Sequence, residues 1–600
     1  MKCIIPITAN GVTERHECHA SNQSVKLTKE NIMIKTRDTW TMEITFPLSM
    51  RENMEVFGHI NRINVTRRKA QFKDCTLYAG NTRIITGTGT VTYVSDTEAR
   101  LQILAGKEEY RFKDVNSQGY IDKLQYNVPK DYFGIFPGKP SSEAYTVSEF
   151  ETMSEELLPY CCYTIIADGE YILNKPNFDN HGANVSRVKC AIQPNLWFVV
   201  RTCLQSLGYE LKLSWMEYDV QTSTARLVQS EAYRLFPLIY ICSTRLSKTD
   251  IARALPHWTI EKFLQEVESL FNVSFLLDSE SHTAIVIDNG NYQAENVAVE
   301  SFDDFTAEYD AEGIKLIGAS SIAYNLGDMH ENGTSIESNI MEEFEVLEFS
   351  SKEDAINSWN AMRSNTDSLL TTIWKFPEGY FYTATSYDEN NGTTTYYRKD
   401  AGQLQALVRE AGNDDNVVTL NIAPVALGYR FFQVDGRDYA QNGILIMESD
   451  SNSDTDIFTV EMAVEGETSP DEDVAERMEV FLLGPSKETL YWENENGKRK
   501  INTRHPFTFI ESGFYGSDEI DTSLALDRDW TTNTIGSLHG SARRIEGHIR
   551  HTMRFLYEGM PDPKKIYIIR GKRFLCEKIE VEIKDDKIQD LKTGYFFEML

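Results

Sequence analysis

The strongest structural constraint in this 600-residue chain lies close to its C-terminal end. Apolar and charged residues alternate strictly through Ile579–Lys584, which is the two-residue period of a half-buried β-strand. Asp585–Lys587 predicts a turn, and Ile588–Phe597 predicts a returning strand that ends in three aromatic residues. A two-stranded ribbon is only marginally stable by itself. We therefore expect this hairpin to belong to a larger sheet, either of this chain or of a neighbouring subunit.

Residues 1–150 carry further strand signals. The run Trp40–Phe46 alternates, and Gly80-Asn81 separates two short β-prone runs, as the central residues of a two-residue hairpin turn do. Two more strands are predicted at Thr90–Val94 and Ala99–Leu104. Several short strands joined by tight turns indicate a barrel or a sandwich.

Residues 151–300 predict a compact α/β unit with two helices. The apolar residues of Asn195–Leu207 share one helical face, and Gly208 follows as a stop. In Thr259–Phe271 the threonine can cap the helix, and the apolar residues again follow the helical period. Phe263 therefore belongs to the predicted core. A strand is predicted after each helix, and the second strand opens a hairpin.

Strand signals return after residue 300, with hairpin turns at Asn391-Gly392 and Asn496-Gly497. The fold class predicted for the whole chain is a multidomain, β-rich α+β protein. Six hundred residues exceed what one hydrophobic core normally organises. We predict a β-rich N-terminal domain, an α/β domain, a β-rich middle domain or insertion with acidic loops, and a C-terminal β domain, at residues 1–150, 151–300, 301–485 and 486–600.

The net charge of −31 argues against a protein that grips nucleic acid, because such proteins present a basic face. One stretch departs from this balance. Residues 543–573 contain nine Arg or Lys and three Asp or Glu, a local net charge of +6, so the rest of the chain carries −37. We interpret the stretch as an interface for an acidic neighbour, with a nucleic-acid contact as the alternative. The interface candidates are Arg543, Arg544, Arg550, Arg554, Arg570, Lys572 and Arg573.

No common catalytic signature is present. The sequence lacks Gly-x-Ser-x-Gly, His-Glu-x-x-His, a phosphate-binding loop ending in Gly-Lys-Ser/Thr, and a Gly-x-Gly-x-x-Gly that opens a helix. We therefore expect no enzyme activity and no cofactor.

One acidic loop has ligands at the spacing of a calcium loop, at positions 1, 3, 5, 7 and 12. Thr455 occupies the position that requires glycine, and the last ligand falls in a predicted strand, so an ordinary acidic loop is the preferred interpretation. The candidate ligands are Asp450, Asn452, Asp454, Asp456 and Glu461. A second candidate, Glu14–His19, lacks another ligand pair at zinc-finger spacing.

Nine scattered cysteines predict reduced, mostly buried thiols, because disulfide frameworks occur in shorter and more cysteine-dense chains. No signal peptide and no apolar run of membrane-spanning length is evident. We expect a soluble protein that does not follow the secretory route.

Six short segments at both ends and in the middle of the chain share a likeness, and none is a catalytic signature. They are Phe57–Arg62, Gln193–Leu196, Leu207–Tyr209, Leu255–Val273, Gly571–Glu580 and Thr593–Glu598. Together they resemble the large tail-tip or baseplate hub proteins of tailed bacteriophages and prophages, especially those of Bacteroides-type hosts. Residues 300–540 contribute nothing to the resemblance.

The resemblance implies β-barrel-like ring domains with an attached α/β domain, and a C-terminal domain that closes the ring. It implies a homotrimer in the virion tail, made in the host cytoplasm. The ring would join the tail tube or distal tail ring to a central spike or fibre, near the tape measure protein, and enclose the DNA channel used in genome ejection. Two alternatives stay open. The first is a receptor- or carbohydrate-binding tail protein, favoured by 29 Tyr and 8 Trp, and the second is a tail-associated cell-wall hydrolase.

Overall fold

The computed structural model describes the two ends of the chain nearly completely and the middle in shorter segments. The described residues are 1–9, 11–21, 24–31, 39–65, 70–106, 119–128, 138–140, 159–161, 165–167, 170–173, 177–179, 182–184, 191–212, 239–243, 250–278, 281–288, 296–301, 306–309, 321–325, 345–365, 368–369, 372–376, 379–388, 393–401, 408–409, 417–425, 427–434, 437–445, 477–494, 497–507, 513–515, 518–520, 522–524, 526, 533–539 and 547–599.

Strands dominate the first half of the chain. The elements are β1 (Lys2–Ala9), β2 (Val12–His19), β3 (Ser24–Glu30), β4 (Thr39–Thr41), β5 (Ile44–Pro47), α1 (Arg51–Val56), β6 (Gln71–Ala79), β7 (Thr82–Val94), β8 (Glu98–Ala105), β9 (Gly138–Pro140), β10 (Tyr160–Cys161), β11 (Ile165–Ala167), β12 (Glu170–Leu173), β13 (Asn177–Asp179), β14 (Gly182–Asn184), β15 (Gln193–Pro194), α2 (Leu196–Leu207), β16 (Glu210–Lys212), β17 (Ile239–Ile241), α3 (Ile260–Phe271), β18 (Val273–Asp278), β19 (Thr283–Asp288), β20 (Asn296–Ala298) and β21 (Glu300–Ser301).

The second half contains fewer helical residues still. Its elements are β22 (Thr306–Tyr309), β23 (Ser321–Tyr324), β24 (Glu345–Glu348), α4 (Lys352–Met362), β25 (Thr372–Phe376), β26 (Gly379–Asp388), β27 (Thr393–Ala401), β28 (Val408–Arg409), β29 (Val417–Leu420), β30 (Ile422–Pro424), β31 (Leu427–Val434), β32 (Arg437–Leu445), β33 (Met478–Asn494), β34 (Gly497–Phe507), β35 (Gly513–Tyr515), β36 (Asp518–Ile520), β37 (Thr522–Ser523), β38 (Asn533–Thr534), α5 (Ile535–Leu538), β39 (Ile549–Leu556), β40 (Ile566–Ile569), β41 (Lys572–Lys584) and β42 (Lys587–Glu598).

One large sheet unites the two ends of the chain. Its main path runs β2-β1-β6-β7-β8-β4-β3-β41-β42-β39-β21, and β5, β20, β22 and β40 attach to it. The join between the halves is the antiparallel pair β3–β41, which runs from Ser24 opposite Lys584 to Glu30 opposite Lys578. The expectation that the C-terminal hairpin belongs to a larger sheet is confirmed, and the partner strand is the third strand of the same chain.

The first part of this sheet, which we call the N-terminal lobe (residues 1–105), curls around its own apolar core. Phe46, Phe57 and Phe72 pack with their ring centroids 5.5 Å apart in each neighbouring pair, and all three are buried. A single side chain bridges β2 to β5. The Asn53 amide accepts a hydrogen bond from the His19 N–H and donates to the carbonyls of His19 and Pro47. It therefore forms hydrogen bonds that a neighbouring strand would otherwise form.

The second part of the sheet, the C-terminal lobe (residues 296–309 and 549–599), has a separate aromatic core. Phe555, Tyr567, Phe574 and Phe596 pack within 6.1 Å of one another in successive pairs. The short segment 296–301 bridges two strands of this lobe, because β20 pairs with β40 and β21, one residue later, pairs with β39.

The two helices predicted in residues 151–300 are both present, with the predicted Gly208 stop and Thr259 cap. Asn195 caps α2 by accepting from the Phe198 N–H, and Gly208 ends it in the left-handed conformation at φ 94°. Thr259 caps α3 by accepting from the Lys262 N–H. The predicted hairpin also forms, since β18 and β19 pair antiparallel.

The core under these helices draws on distant parts of the chain. Phe263 and Phe271 are fully buried in it, and the Trp197 ring lies 5.1 Å from the ring of Phe271. Residues from β23, β30, β33 and α5 complete the same core. With Ile121 also in it, the core joins residues from all four predicted domain ranges, while the domain boundaries themselves stay predictions.

Residues 345–401 form a small module with a core of their own. β24 and β25 are parallel and are connected through α4, and β26 and β27 extend the sheet as a hairpin. The helix places Trp359 over this sheet, where its indole N–H donates to the Thr383 hydroxyl at 2.8 Å. Trp374 stacks on Phe381 at 5.5 Å, so these aromatic rings fill a core.

The tight turns follow the backbone chemistry of their residues. Gly80, with φ 57°, opens the two-residue loop that joins β6 to β7, as predicted. Asp585 and Asp586, with φ 51° and 59°, form the whole two-residue turn of the C-terminal hairpin, and Lys587 already belongs to β42. The strand-rich, multi-sheet architecture agrees with the predicted β-rich multidomain fold. The closed barrels, the ring and the separate α/β domain stay predictions.

Within the described residues, none of the helices has the length and apolar character that crossing a membrane requires.

We predict that Phe263→Ala lowers the free energy of local opening of the core beneath α2 and α3 (the α2–α3 core) by roughly 3–5 kcal/mol. The ring is fully buried, so its removal leaves a cavity. Hydrogen exchange of the α3 amides, read by mass spectrometry, measures this unit apart from the rest of the chain. Ser269→Ala on the outer side of α3 is the control and should change the exchange little. A loss below about 1 kcal/mol in Phe263→Ala would contradict the assigned core.

Candidate interface sites

The basic stretch near residue 550 does not form one patch. Arg543 and Arg544 lie outside the described residues. Arg550 and Arg554 lie on β39, Lys564 and Lys565 lie in the β39–β40 connection, and the remaining cations surround the β40–β41 turn. The five acidic-loop candidates, which are Asp450, Asn452, Asp454, Asp456 and Glu461, also lie outside the described residues.

The side chain of Arg550 makes several contacts within its own chain. Its guanidinium bonds to Glu308 of β22 and lies 3.9 Å from the buried Glu577 carboxylate. It also lies 5.6 Å from the centroid of the Tyr595 ring. The hydrogen bond to Glu308 raises the pKa of the Arg550 guanidinium. These contacts fasten β22 to the outer face of the C-terminal hairpin, so a role in binding a partner is not needed to explain this arginine.

The other named cations are exposed at the surface of the C-terminal lobe. Arg554 is exposed on β39. Arg570, Lys572 and Arg573 surround the β40–β41 turn, and Lys572 pairs with Glu598 at 2.6 Å. Of the seven interface candidates, these three are the set that the structure brings together.

A buried asparagine ties the two lobes together beside the β3–β41 ladder. Asn31 follows β3, and its N–H donates to the Glu577 carbonyl at 2.8 Å. Its side-chain amide donates to the carbonyls of Cys576 at 2.9 Å and Pro563 at 3.2 Å. The side chain is fully buried. The N-terminal lobe is therefore held both to β41 and to the connection before β40.

The C-terminal motif that carries part of the family resemblance has a packing explanation. A side chain at Gly594 would place its Cβ 2.3 Å from the Phe596 ring and 2.9 Å from the Phe555 ring. Glycine is therefore required because the aromatic core closes over this backbone. The motif therefore reflects how β42 packs.

The described cysteines fit the prediction of buried thiols. Seven are free and buried, namely Cys3, Cys18, Cys75, Cys161, Cys203, Cys242 and Cys576. Burial raises the pKa of the Cys18 thiol to about 12, which suppresses the thiolate that reacts or binds metal. Within the described part of the chain, no group of three or more His, Cys, Asp or Glu has the arrangement of a metal site.

The Glu14–His19 segment forms β2, and its histidines contact only nearby carboxylates. His16 lies 3.8 Å from Glu14, and His19 lies 3.8 Å from Glu17. The alternation of a strand places these two pairs on opposite faces, so they do not converge.

A cleft of about 260 Å³ opens where the N-terminal lobe, the β18–β19 hairpin and the β39–β40 connection meet. Its lining mixes cations with carboxylates, whereas small-molecule sites are mostly apolar. The charged residues that line it are Lys29, Glu30, Arg83, Asp278, Asp562 and Lys564. We interpret the cleft as a polar joint between structural units.

Sequence reasoning missed one charged pair inside the core. Arg477 and Glu479 are 2% and 7% exposed, and their side chains lie 3.8 Å apart at the start of β33. Burial raises the pKa of the Glu479 carboxyl to about 7, against the opposing effect of Arg477. The available signal was the run Met478–Leu483, which is apolar except for Glu479, because a strand buried on both faces also buries a charged residue within it.

Comparisons with known proteins give distant neighbours only. No protein-family model matches the chain, and no curated protein matches it. Among solved structures, the chain is similar to the 43 kDa tail protein of prophage MuSo2 from Shewanella oneidensis, with 6% identity, coverage of 99% of this chain and 97% of that chain, and a TM-score of 0.30. It is also similar to the tail protein from Neisseria meningitidis MC58, with 7% identity, coverage of 100% and 97%, and a TM-score of 0.26. Both neighbours are tail proteins, but a likeness at these TM-scores carries no argument.

We predict that Asn31→Ala weakens the join between the lobes by about 1–3 kcal/mol, because two buried carbonyls lose their donors. Hydrogen exchange should quicken in β3 and β41. Asn53→Ala is the matched control, since it removes an equally buried amide that acts within the N-terminal lobe. The control should loosen β2 and α1 and spare β41. Equal effects of both variants on β41 would refute the assigned tie.

We predict that Glu479 makes the stability of β33, and of the core to which this strand contributes, depend on pH. Its pKa is raised on folding, so its contribution is complete below about pH 4.5 and is lost as the pH rises through about 7. Glu479→Gln removes this loss. The unfolding free energy of the variant relative to the wild type should therefore rise by about 3 kcal/mol between acidic and mildly alkaline pH.

Hydrogen exchange of the β33 amides, corrected for the pH dependence of intrinsic exchange, measures this difference. A difference between the two proteins that does not change with pH would show that Glu479 keeps its unfolded-state pKa.

Proposed function

We propose that this protein is a structural hub at the distal end of a bacteriophage tail. Three copies form a ring that joins the tail tube or distal tail ring to a central spike or fibre, and the ring encloses the channel for DNA. Its other partners are tail proteins such as the tape measure protein, and it works in the virion tail after synthesis in the host cytoplasm. The resemblance in sequence supplies this proposal.

One structural observation carries the proposal furthest, namely the pairing of β3 with β41 in a single large sheet. A ring subunit must hold its shape while the tail transmits force, and this ladder makes one continuous body from both ends of the chain. The body consists of two lobes with separate cores. Three copies would present six lobes, which suits contact with a six-fold tube.

The proposal accounts for the ordered C-terminal strand. β42 pairs through Glu598, and the Met599 N–H still donates to the Arg573 carbonyl at 2.8 Å. A hub that is held through its C-terminal lobe needs β42 to be paired along its length.

Electron microscopy of the purified protein tests the proposal. We expect a three-fold ring with a central opening, and a particle of three times the 68.6 kDa chain mass in mass photometry. Antibodies against the protein should label the tail tip of the intact phage. A monomer at high protein concentration, or labelling along tail fibres in place of the tip, would favour the receptor-binding alternative.

The same particle tests the charge of the channel. Each Lys or Arg contact to a DNA phosphate binds through counterion release, so a basic channel would retain DNA and an acidic one would let it slide. We expect the ring to line its opening with more Asp and Glu than Lys and Arg, and the 543–573 stretch to face outward or another subunit. An opening lined by Arg543, Arg544, Arg550 and Arg554 would refute this.

We also propose that the protein is not a hydrolase. Zymography on bacterial cell wall, with lysozyme as the positive control, should give no cleared band at the mass of this chain. A band that survives purification and disappears after substitution of a single Asp or Glu would refute the structural role as the whole function.

A further inference from the structure

The turn between β40 and β41 has a residue that its backbone does not favour. Ile569 pairs with Lys572, so Arg570 and Gly571 form a two-residue hairpin turn with φ 51° and 80°. A turn with positive φ at both positions favours Asn, Asp or Gly at the first position. Arginine in the left-handed region is uncommon, and such a choice calls for an explanation outside the turn.

The turn at the other end of the same strand provides a direct comparison. Asp585 and Asp586 occupy it with φ 51° and 59°, between the paired Lys584 and Lys587. The two turns have the same length and the same signs of φ. At the first turn position only Asp585 is a residue that the conformation favours, so the backbone does not explain the choice of Arg570.

Arg570 belongs to an exposed group of cations at one end of the C-terminal lobe, which we call the basic tip (Arg570, Lys572 and Arg573). All three side chains are exposed. Tyr309 is 76% exposed and stacks on the exposed His548, with the ring centroids 6.1 Å apart. It lies at the same end of the lobe as the basic tip, beside the first residue of β39. Arginine and tyrosine are the residue types enriched in the cores of protein interfaces.

We propose that the basic tip binds an acidic surface on a second copy of this chain. The inference rests on the proposed ring, in which every copy carries both halves of the contact. Charge complementarity favours this partner, because the chain outside residues 543–573 carries a net charge of −37. The two halves are different surfaces, so the contact is head-to-tail, and contacts of this kind close into rings when the rotation permits.

The test uses full-length protein and removes two positive charges at either end of β41. Arg570→Asn with Arg573→Gln alters the basic tip, and Lys584→Gln with Lys587→Gln is the matched control at the opposite turn. Sedimentation equilibrium at low and high salt measures self-association. We expect the tip variant to associate roughly tenfold more weakly at low salt and to lose most of its salt dependence, while the control behaves like the wild type.

Arg570→Asn alone separates docking from folding. Asparagine suits the left-handed position, so hydrogen exchange in β40 and β41 should stay as slow as in the wild type or become slower. Self-association should still weaken. If exchange became faster instead, the arginine would be serving the turn, and the inference would be overturned.

Three other results would count against the inference, and they are distinguishable. A tip variant that forms trimers as tightly as the wild type overturns the docking role and leaves the hub proposal standing. Weaker binding of a duplex DNA oligonucleotide with unchanged self-association assigns the tip to nucleic acid, which also overturns it. A wild-type protein that stays monomeric at every salt concentration overturns both the inference and the hub proposal.

Discussion

The β3–β41 ladder is the interaction on which the rest of the structure depends. It pairs seven residues of β3 with β41 across nearly the whole length of the chain. The entropic cost of closing such a long loop grows only with the logarithm of its length, so the ladder and the buried Asn31 amide oppose a cost little larger than that of a shorter loop. This weak dependence on length also explains how two long segments can lie between strands of the same sheet. One segment contributes α2 and α3, and the other contains the 345–401 module.

β41 contributes side chains to the cores of both lobes. Ile583 packs into the N-terminal core, whereas Ile579 and Val581 pack into the C-terminal core. Strand alternation sends the charged residues between them to the outer face, where Lys578 lies 4.2 Å from the centroid of the Tyr595 ring. β41 therefore couples the stability of both lobes, so a substitution that destabilises this strand should destabilise both of them.

Local features were predictable from the sequence because local physics determines them. Gly208 and Thr259 were assigned as helix ends from residue type and were found there. The partner of β41 was not predictable, because two-residue alternation identifies a strand and its buried face but not its neighbour. Arg550 was interpreted as an interface residue because a sequence shows an excess of charge but not the position of Glu308. Glu479 was missed because carboxylates are seldom buried.

Several residues that carry the family resemblance are packing residues in the structure. Gly594 is required by the rings of Phe555 and Phe596, and Asn195 and Gly208 delimit a helix. A resemblance of this kind carries information about architecture, because the matched positions are those at which a different side chain would disturb the fold. The sheet that joins residues 24–30 to residues 578–584 is the part of this architecture that supports the proposed structural role.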